Sequence, residues 1–131
     1  MLAAQIILYV RDQDRARKFY DAALGVAPIL HVPNMTEYRL ATGCILGLMP
    51  SASIVRLLGG AISDPETASG VPRAELYLMV DEPQAYLDRA LAAGATGLSP
   101  LQPRDWGHEA AYCLDLDRHV LAFAREIPKG S

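Results

Sequence analysis

The sequence contains only two cysteines, Cys44 and Cys113, and both lie in apolar segments that are typical of strands. A disulfide framework requires more cysteines and a secretory context, so we expect two buried thiols. No apolar run approaches the roughly 20 residues that a membrane-spanning helix requires. The N-terminus lacks a charged segment followed by a clean apolar run, so we expect no signal peptide. These absences predict a cytoplasmic protein with no membrane partner.

Positive charge is also scarce. Twelve Lys and Arg residues stand against fifteen Asp and Glu residues, which gives a formal net charge of −3, and no basic run is present. This balance argues against nucleic acid as a partner. An apolar content of 51% is too high for a disordered chain, and 131 residues suit one domain or two small halves that share a core.

A strand–helix pattern occurs twice in the chain. Residues 5–25 begin with a segment whose residues alternate between two faces, as in a strand. After Asp12, a candidate helix cap, apolar residues recur at helical spacing, and a glycine ends this pattern. Residues 75–94 repeat this order, with Asp81 as the candidate cap. The interval from the capping Asp to the closing Gly is 13 residues in both copies, 12 to 25 and 81 to 94. The chain therefore contains one supersecondary unit used twice.

Three strand candidates follow the helix in each copy, and turn signals separate them. They cover residues 28–32, 37–41 and 44–49 in the first copy and residues 96–101, 109–114 and 119–125 in the second. The sequence thus predicts one α+β domain over residues 1–131, with a βαβββ module at about 4–49, a linker at about 50–72 and a second βαβββ module at about 73–126. The tail at 128–131 is expected to be loose. A ferredoxin-like fold has no room for the extra strand in each half.

The first strand of each module is expected to present two different faces. One face packs beneath the helices. The other lines a cleft enclosed by a curved mixed sheet. The expected buried residues are Ile6, Leu8, Val10, Leu76, Leu78 and Val80, and the expected cleft residues on these strands are Gln5, Ile7, Tyr9, Glu75, Tyr77 and Met79.

Two segments resemble the vicinal oxygen chelate superfamily, which includes glyoxalase I, extradiol dioxygenases, fosfomycin-resistance enzymes and bleomycin-resistance proteins. They are LYVRDQDRARKFYDAALG at 8–25 and LSPLQPRDWGHEAAYCLDLDRHVLAFAR at 98–125. The resemblance implies a divalent metal in the cleft, bound by His, Gln or Glu from the first and last strands of each module. It also implies a homodimer, which the exposed sheet edges of two small modules favour as well.

The ligand positions implied by the resemblance fall on Gln5 and Glu75 in the first strands and on Gly47 and Ala122 in the last strands. Gly47 and Ala122 have no side-chain donor. Two oxygen donors remain where a catalytic metal takes three or four from the protein. We therefore expect no cofactor, with Gln5 and Glu75 as remnant positions that could hold a divalent metal weakly.

The incomplete ligand set favours a metal-free protein that binds a small molecule, as in the bleomycin-resistance branch. The alternative is an enzyme of the lyase, isomerase or dioxygenase type that uses Glu75 as a general base, with a pKa raised by burial, or as a weak metal ligand. A scaffold with a closed cleft is disfavoured because small residues at 47 and 122 open space there. The expected cleft residues are Gln5, Ile7, Tyr9, Gly47, Met49, Glu75, Tyr77, Met79, Trp106 and Ala122. The ligand, and whether the cleft forms within one chain or across a dimer, stay open.

Three further features are a turn of the second module, the sole tryptophan and the histidines. Its last turn reads Asp115-Leu116-Asp117-Arg118-His119, where the superfamily commonly has Asp-Pro-Asp-Gly-His, so Arg118 occupies a position where φ is expected to be positive. The sole tryptophan, Trp106, is expected at the pocket rim. The three histidines, His31, His108 and His119, do not match the metal positions, and we interpret them as surface or turn residues.

Overall fold

The computed structural model describes residues 1–68 and 70–128, and these form two successive βαβββ modules joined by a helical connection. Residues 129–131 of the tail, expected to be loose, lie outside the described part. The elements are β1 (Ala4–Val10), α1 (Gln13–Leu24), β2 (Leu30–Val32), β3 (Met35–Ala41), β4 (Cys44–Pro50), α2 (Ser51–Leu58), two 3₁₀ turns (Gly59–Ala61 and Pro65–Ala68), β5 (Glu75–Met79), α3 (Pro83–Ala92), β6 (Thr96–Pro103), β7 (His108–Leu114) and β8 (Val120–Glu126).

Each module builds a four-stranded mixed sheet of the same topology. The strand orders are β1-β4-β3-β2 and β5-β8-β7-β6, and in each sheet the first strand of the module pairs in parallel with the last. The register is also equivalent, because Ile7 lies opposite Gly47 in one sheet and Tyr77 lies opposite Ala122 in the other. The predicted α+β fold of two βαβββ modules is confirmed.

Helix α1 begins and ends where its sequence predicts. The Asp12 carboxylate accepts a hydrogen bond from the Arg15 backbone N–H at 3.0 Å, and Gly25 closes the helix with a left-handed φ of 70°. In α3 the predicted cap is wrong: the residue before the helix is Glu82, not Asp81, and it makes no capping side-chain bond. Pro83 begins this helix with its fixed φ and needs no N–H partner there.

The helices cover one face of the sheets and build a core that both modules share. Phe19 and Tyr20 of α1 and Leu87 of α3 are buried in this cluster together with apolar residues of both sheets. Ile6 was expected to be buried but is 50% exposed. The reason is its place on an edge strand, since α1 packs on β3 and β4 and leaves the start of β1 uncovered.

Hydrogen bonds at the turn between β7 and β8 connect the two modules. The Arg11 backbone N–H donates to Asp117 Oδ1 at 2.8 Å. The Tyr20 hydroxyl of α1 donates to the buried Asp115 Oδ2 at 2.5 Å, and burial is the first cause that raises the pKa of this tyrosine. Asp115 also accepts from His119 Nδ1 at 2.8 Å. These bonds hold the turn against α1 across the module boundary.

No helix within the described ranges 1–68 and 70–128 is long and apolar enough to cross a membrane. Both thiols are free: Cys113 is buried and Cys44 is half-buried.

Candidate functional site

The open face of the first sheet carries a polar pair next to Gly47. Gln5 Nε2 on β1 donates to Glu37 Oε2 on β3 at 2.7 Å, and Glu37 lies directly opposite Gly47 in the β3–β4 register. Sequence reasoning missed Glu37. A signal was available, because its two neighbours in β3 are the buried Thr36 and Tyr38, so alternation turns Glu37 toward the open face.

Gly47 does not leave an empty space on this face. A Cβ atom at this position would lie 2.6 Å from Gln5 Nε2, 3.1 Å from Ile7 Cγ1 and 3.2 Å from Met35 Sδ. The equivalent residue of the second sheet, Ala122, is completely buried. The argument that small residues at these two positions open the site is therefore wrong, because neighbouring side chains already fill the space.

The open face of the second sheet carries a hydrogen-bonded aromatic cluster formed by Tyr77, Trp106 and His108. Trp106 Nε1–H donates to the Tyr77 hydroxyl oxygen at 2.8 Å, and the same hydroxyl lies 2.8 Å from His108 Nδ1. The Tyr77 ring centroid lies 6.5 Å from that of Trp106 and 5.8 Å from that of His108. The interpretation of His108 as a surface or turn residue is wrong, because β7 places its half-buried ring against Tyr77.

The proton of the Tyr77 hydroxyl has a limited choice of partners. Indole N–H is only a donor, so the Tyr77 oxygen accepts from Trp106. The single phenolic hydrogen then points either to His108 Nδ1 or to a bound molecule. The cluster can thus offer a ligand a hydroxyl group whose position is set by two neighbours.

Arg104 fixes the loop that carries Trp106. Its Nη2 donates to the Ala110 carbonyl at 2.8 Å, to Ser99 Oγ at 2.8 Å and to the Pro100 carbonyl at 3.0 Å. Its guanidinium carbon lies 5.0 Å from the centre of the Tyr112 ring. Because the rigid guanidinium fork bonds to neighbouring residues of β6 and to one residue of β7, the loop from Arg104 to Trp106 is positioned by these two strands.

Glu75 lies near this cluster but is exposed. Burial is the first cause that raises the pKa of Tyr112, and the Glu75 and Tyr77 charges add to it while Arg104 lowers it. A role for Glu75 as general base depends on its burial. Glu75 is exposed, so that role stays a prediction.

The remaining expected cleft residues divide between the two sheets. On the first sheet Tyr9 is exposed and pairs in register with the half-buried Met49. On the second sheet Met79 is exposed at the end of β5. The expected residues therefore form two groups, one per sheet, and the three cavities described within residues 1–68 and 70–128 bring none of Gln5, Gly47, Glu75 and Ala122 together.

Comparison with known proteins assigns the family. A model described as the Glyoxalase/Bleomycin resistance protein/Dioxygenase superfamily matches residues 3–123. The chain belongs to this superfamily. A comparison with curated proteins found no significant match.

Solved structures of the superfamily share this fold. A glyoxalase-related enzyme from Fulvimarina pelagi is 23% identical with a TM-score of 0.79, and the match covers 95% of this chain and 87% of that one. A glyoxalase/bleomycin resistance protein/dioxygenase family enzyme from Burkholderia phytofirmans PsJN is 18% identical with a TM-score of 0.75, covering 94% and 97%. A glyoxalase/bleomycin resistance protein/dioxygenase from Nocardioides is 16% identical with a TM-score of 0.74, covering 100% and 86%. At these identities the likeness shows the fold alone.

The residues present do not fit the divalent metal that the sequence resemblance implies. The Gln5 amide is already bonded to Glu37 on the first sheet, and Glu75 is exposed on the other sheet. Within the described part of the chain no three His, Cys, Asp or Glu side chains are grouped so that they could hold a metal ion. A catalytic metal takes about three protein donors, so this donor set is too small.

Proposed function

We propose that this superfamily member binds a small organic molecule on the open face of its sheets and does so without a metal. The observation that carries the proposal is the Trp106–Tyr77–His108 cluster, which presents hydrogen-bonding groups and ring surface where the metal donor set is incomplete. Trp106 is 53% exposed, so a large part of its indole is available to a ligand.

The chemistry of this face favours a planar ligand with a polar substituent. The exposed Trp106 ring supplies stacking area, and aromatic contacts of this kind contribute about 0.5–1.5 kcal/mol beyond the burial of area. The Tyr77 hydroxyl supplies a directed hydrogen bond. Because Arg104 fixes the loop before binding, little ordering of the loop opposes association.

The alternative is an enzyme of the lyase, isomerase or dioxygenase type. The position of Glu75 on β5 favours it, because strand alternation places this carboxylate on the same face as Tyr77, where it could accept a proton from a substrate. The exposure of Glu75 weighs against it, because a solvated carboxylate is a weak base.

Fluorescence of Trp106, the sole tryptophan, tests the proposal. In a panel of phenols and aromatic amides, at least one compound should change the emission saturably, and EDTA should leave the affinity unchanged. Tyr77→Phe keeps the ring but loses the hydroxyl, so the affinity should fall about tenfold for the loss of one hydrogen bond of about 1.4 kcal/mol. Tyr86→Phe on α3 is the matched control and should bind like the parent. Binding that requires a divalent metal, or that Tyr77→Phe leaves unchanged, would contradict the proposal.

We also propose a homodimer. The edge strands β2 and β6 each pair on one side only, with β3 and β7, so their outer backbone groups are available for pairing with a second copy. The cytoplasmic location expected from the sequence stays a prediction.

A further inference from the structure

A cavity of about 270 Å³ lies where the two modules meet. Its walls are the end of β1, the segment before β5 and the turn between β7 and β8, and the 3₁₀ turn Pro65–Ala68 borders it. The apolar part of its lining includes Ile7 and Tyr9. Its basic lining consists of Arg11, Arg15, Arg73, Arg118 and His119.

The cavity has an excess of positive charge that the protein does not neutralise. Among residues 1–68 and 70–128, the guanidinium groups of these four arginines make neither an ion pair nor a side-chain hydrogen bond. The acidic lining consists of Glu66 and Asp117, so four arginines minus two carboxylates leave a charge of +2. Both carboxylates already accept hydrogen bonds, Glu66 from the Ser51 hydroxyl at 2.6 Å and Asp117 from the Arg11 backbone at 2.8 Å. The guanidinium groups are therefore free to bind an external anion.

Arg118 occupies a backbone conformation that favours glycine. Its φ is 73°, in the left-handed region where a Cβ atom is unfavourable. The tight turn thus places the Arg118 side chain at the edge of the cavity, at a position where glycine would be free of this strain.

In its protonated form, His119 adds a second kind of donor beside Arg118. Its Nδ1 is engaged by the buried Asp115, which orients the ring and leaves Nε2 as the nitrogen available in the cavity. Arginine forks and an oriented, protonated imidazole together form a set of N–H donors suited to the oxygen atoms of a carboxylate or a phosphate.

We propose that this cavity binds the oxyanion group of a small molecule, a carboxylate or a phosphate, with Arg73 and Arg118 as principal ligands and Ile7 and Tyr9 against its apolar part. The inference does not rest on the proposed function, because Trp106 and Tyr77 do not line this cavity. The two proposals can therefore fail independently.

Calorimetric titration with inorganic phosphate and with malonate, at constant ionic strength set by chloride, tests the proposal. At least one of the two probes should bind saturably, and the tighter one identifies the source of the oxyanion. Arg73→Gln and Arg118→Gly should each weaken that binding at least tenfold. Arg56→Gln removes an arginine outside the cavity, on α2, and should stay within twofold of the parent.

Arg118→Gly also separates binding from folding. Because glycine adopts the left-handed conformation without strain, this variant should melt no lower than the parent in the absence of an anion while it loses affinity. Absence of saturable binding by both probes, or equal affinities in Arg73→Gln, Arg118→Gly and Arg56→Gln, would overturn the proposal.

Discussion

Replacement of Phe19 by Ala tests the central packing of α1 on the sheets. The Phe19 side chain is 2% exposed, and its ring meets the Tyr20 ring edge-on with centroids 5.0 Å apart. Truncation of a buried Phe costs about 3–5 kcal/mol of the free energy of unfolding. Phe19 borders a surface cavity together with Lys18 and Leu116, so water can enter the space that the ring leaves. We therefore expect a loss near the lower limit, about 3 kcal/mol.

Urea unfolding followed by far-UV circular dichroism measures this loss. The transition midpoint should fall while the m-value stays unchanged, since the unfolded surface is nearly the same. Lys18→Ala removes the exposed neighbour on the same helix and should change the free energy of unfolding by no more than about 0.5 kcal/mol. A loss below about 1 kcal/mol for Phe19→Ala would show that the ring does not anchor α1, and the assignment of the helix faces would be wrong.

The remaining predictions concern pH and assembly. Burial lowers the pKa of His119, but the hydrogen bond that His119 donates to Asp115 and the charges of Asp115 and Asp117 outweigh this effect and raise the pKa above 6.5. The contribution of His119 to stability is therefore fully present below about pH 6.5 and is lost as the pH rises through the folded-state value. Urea midpoints measured between about pH 6 and pH 9 should show this fall in the parent and in His31→Gln but not in His119→Gln, and a parallel fall in His119→Gln would refute the assignment. Light scattering at micromolar concentration should show about twice the 14.2 kDa of one chain, and a species of one chain's mass alone would count against the dimer.

Local sequence patterns were enough to predict the two modules, because the pattern of each helix or strand depends on residues within that element. The Asp12 cap and the terminal Gly25 depend on neighbours within a few residues, and both agree with the structure. The positive φ expected at Arg118 is also local, because a tight turn demands it whichever residue is present. The exposure of Ile6 was not predictable in this way, since it depends on which strands α1 covers.

The candidate sites needed the tertiary structure because their residues come from distant parts of the chain. Glu37 meets Gln5 only through the strand register, 32 residues away, and His108 meets Tyr77 across 31 residues. Register shifts in β6 between Gly97 and Ser99 and between Ser99 and Gln102 alter the pairing that sets the loop with Trp106, and alternation alone does not reveal them.

The sequence by itself therefore determined the family and the two modules, because these depend on residue identity and on short-range patterns of the backbone. Only the tertiary structure decided that the space at Gly47 is filled, that an aromatic cluster forms on the second sheet and that unpaired arginines surround one cavity. The physical reason is that packing and charge pairing depend on distances between modules, such as the contact of Arg11 with Asp117 across 106 residues, which no local pattern encodes.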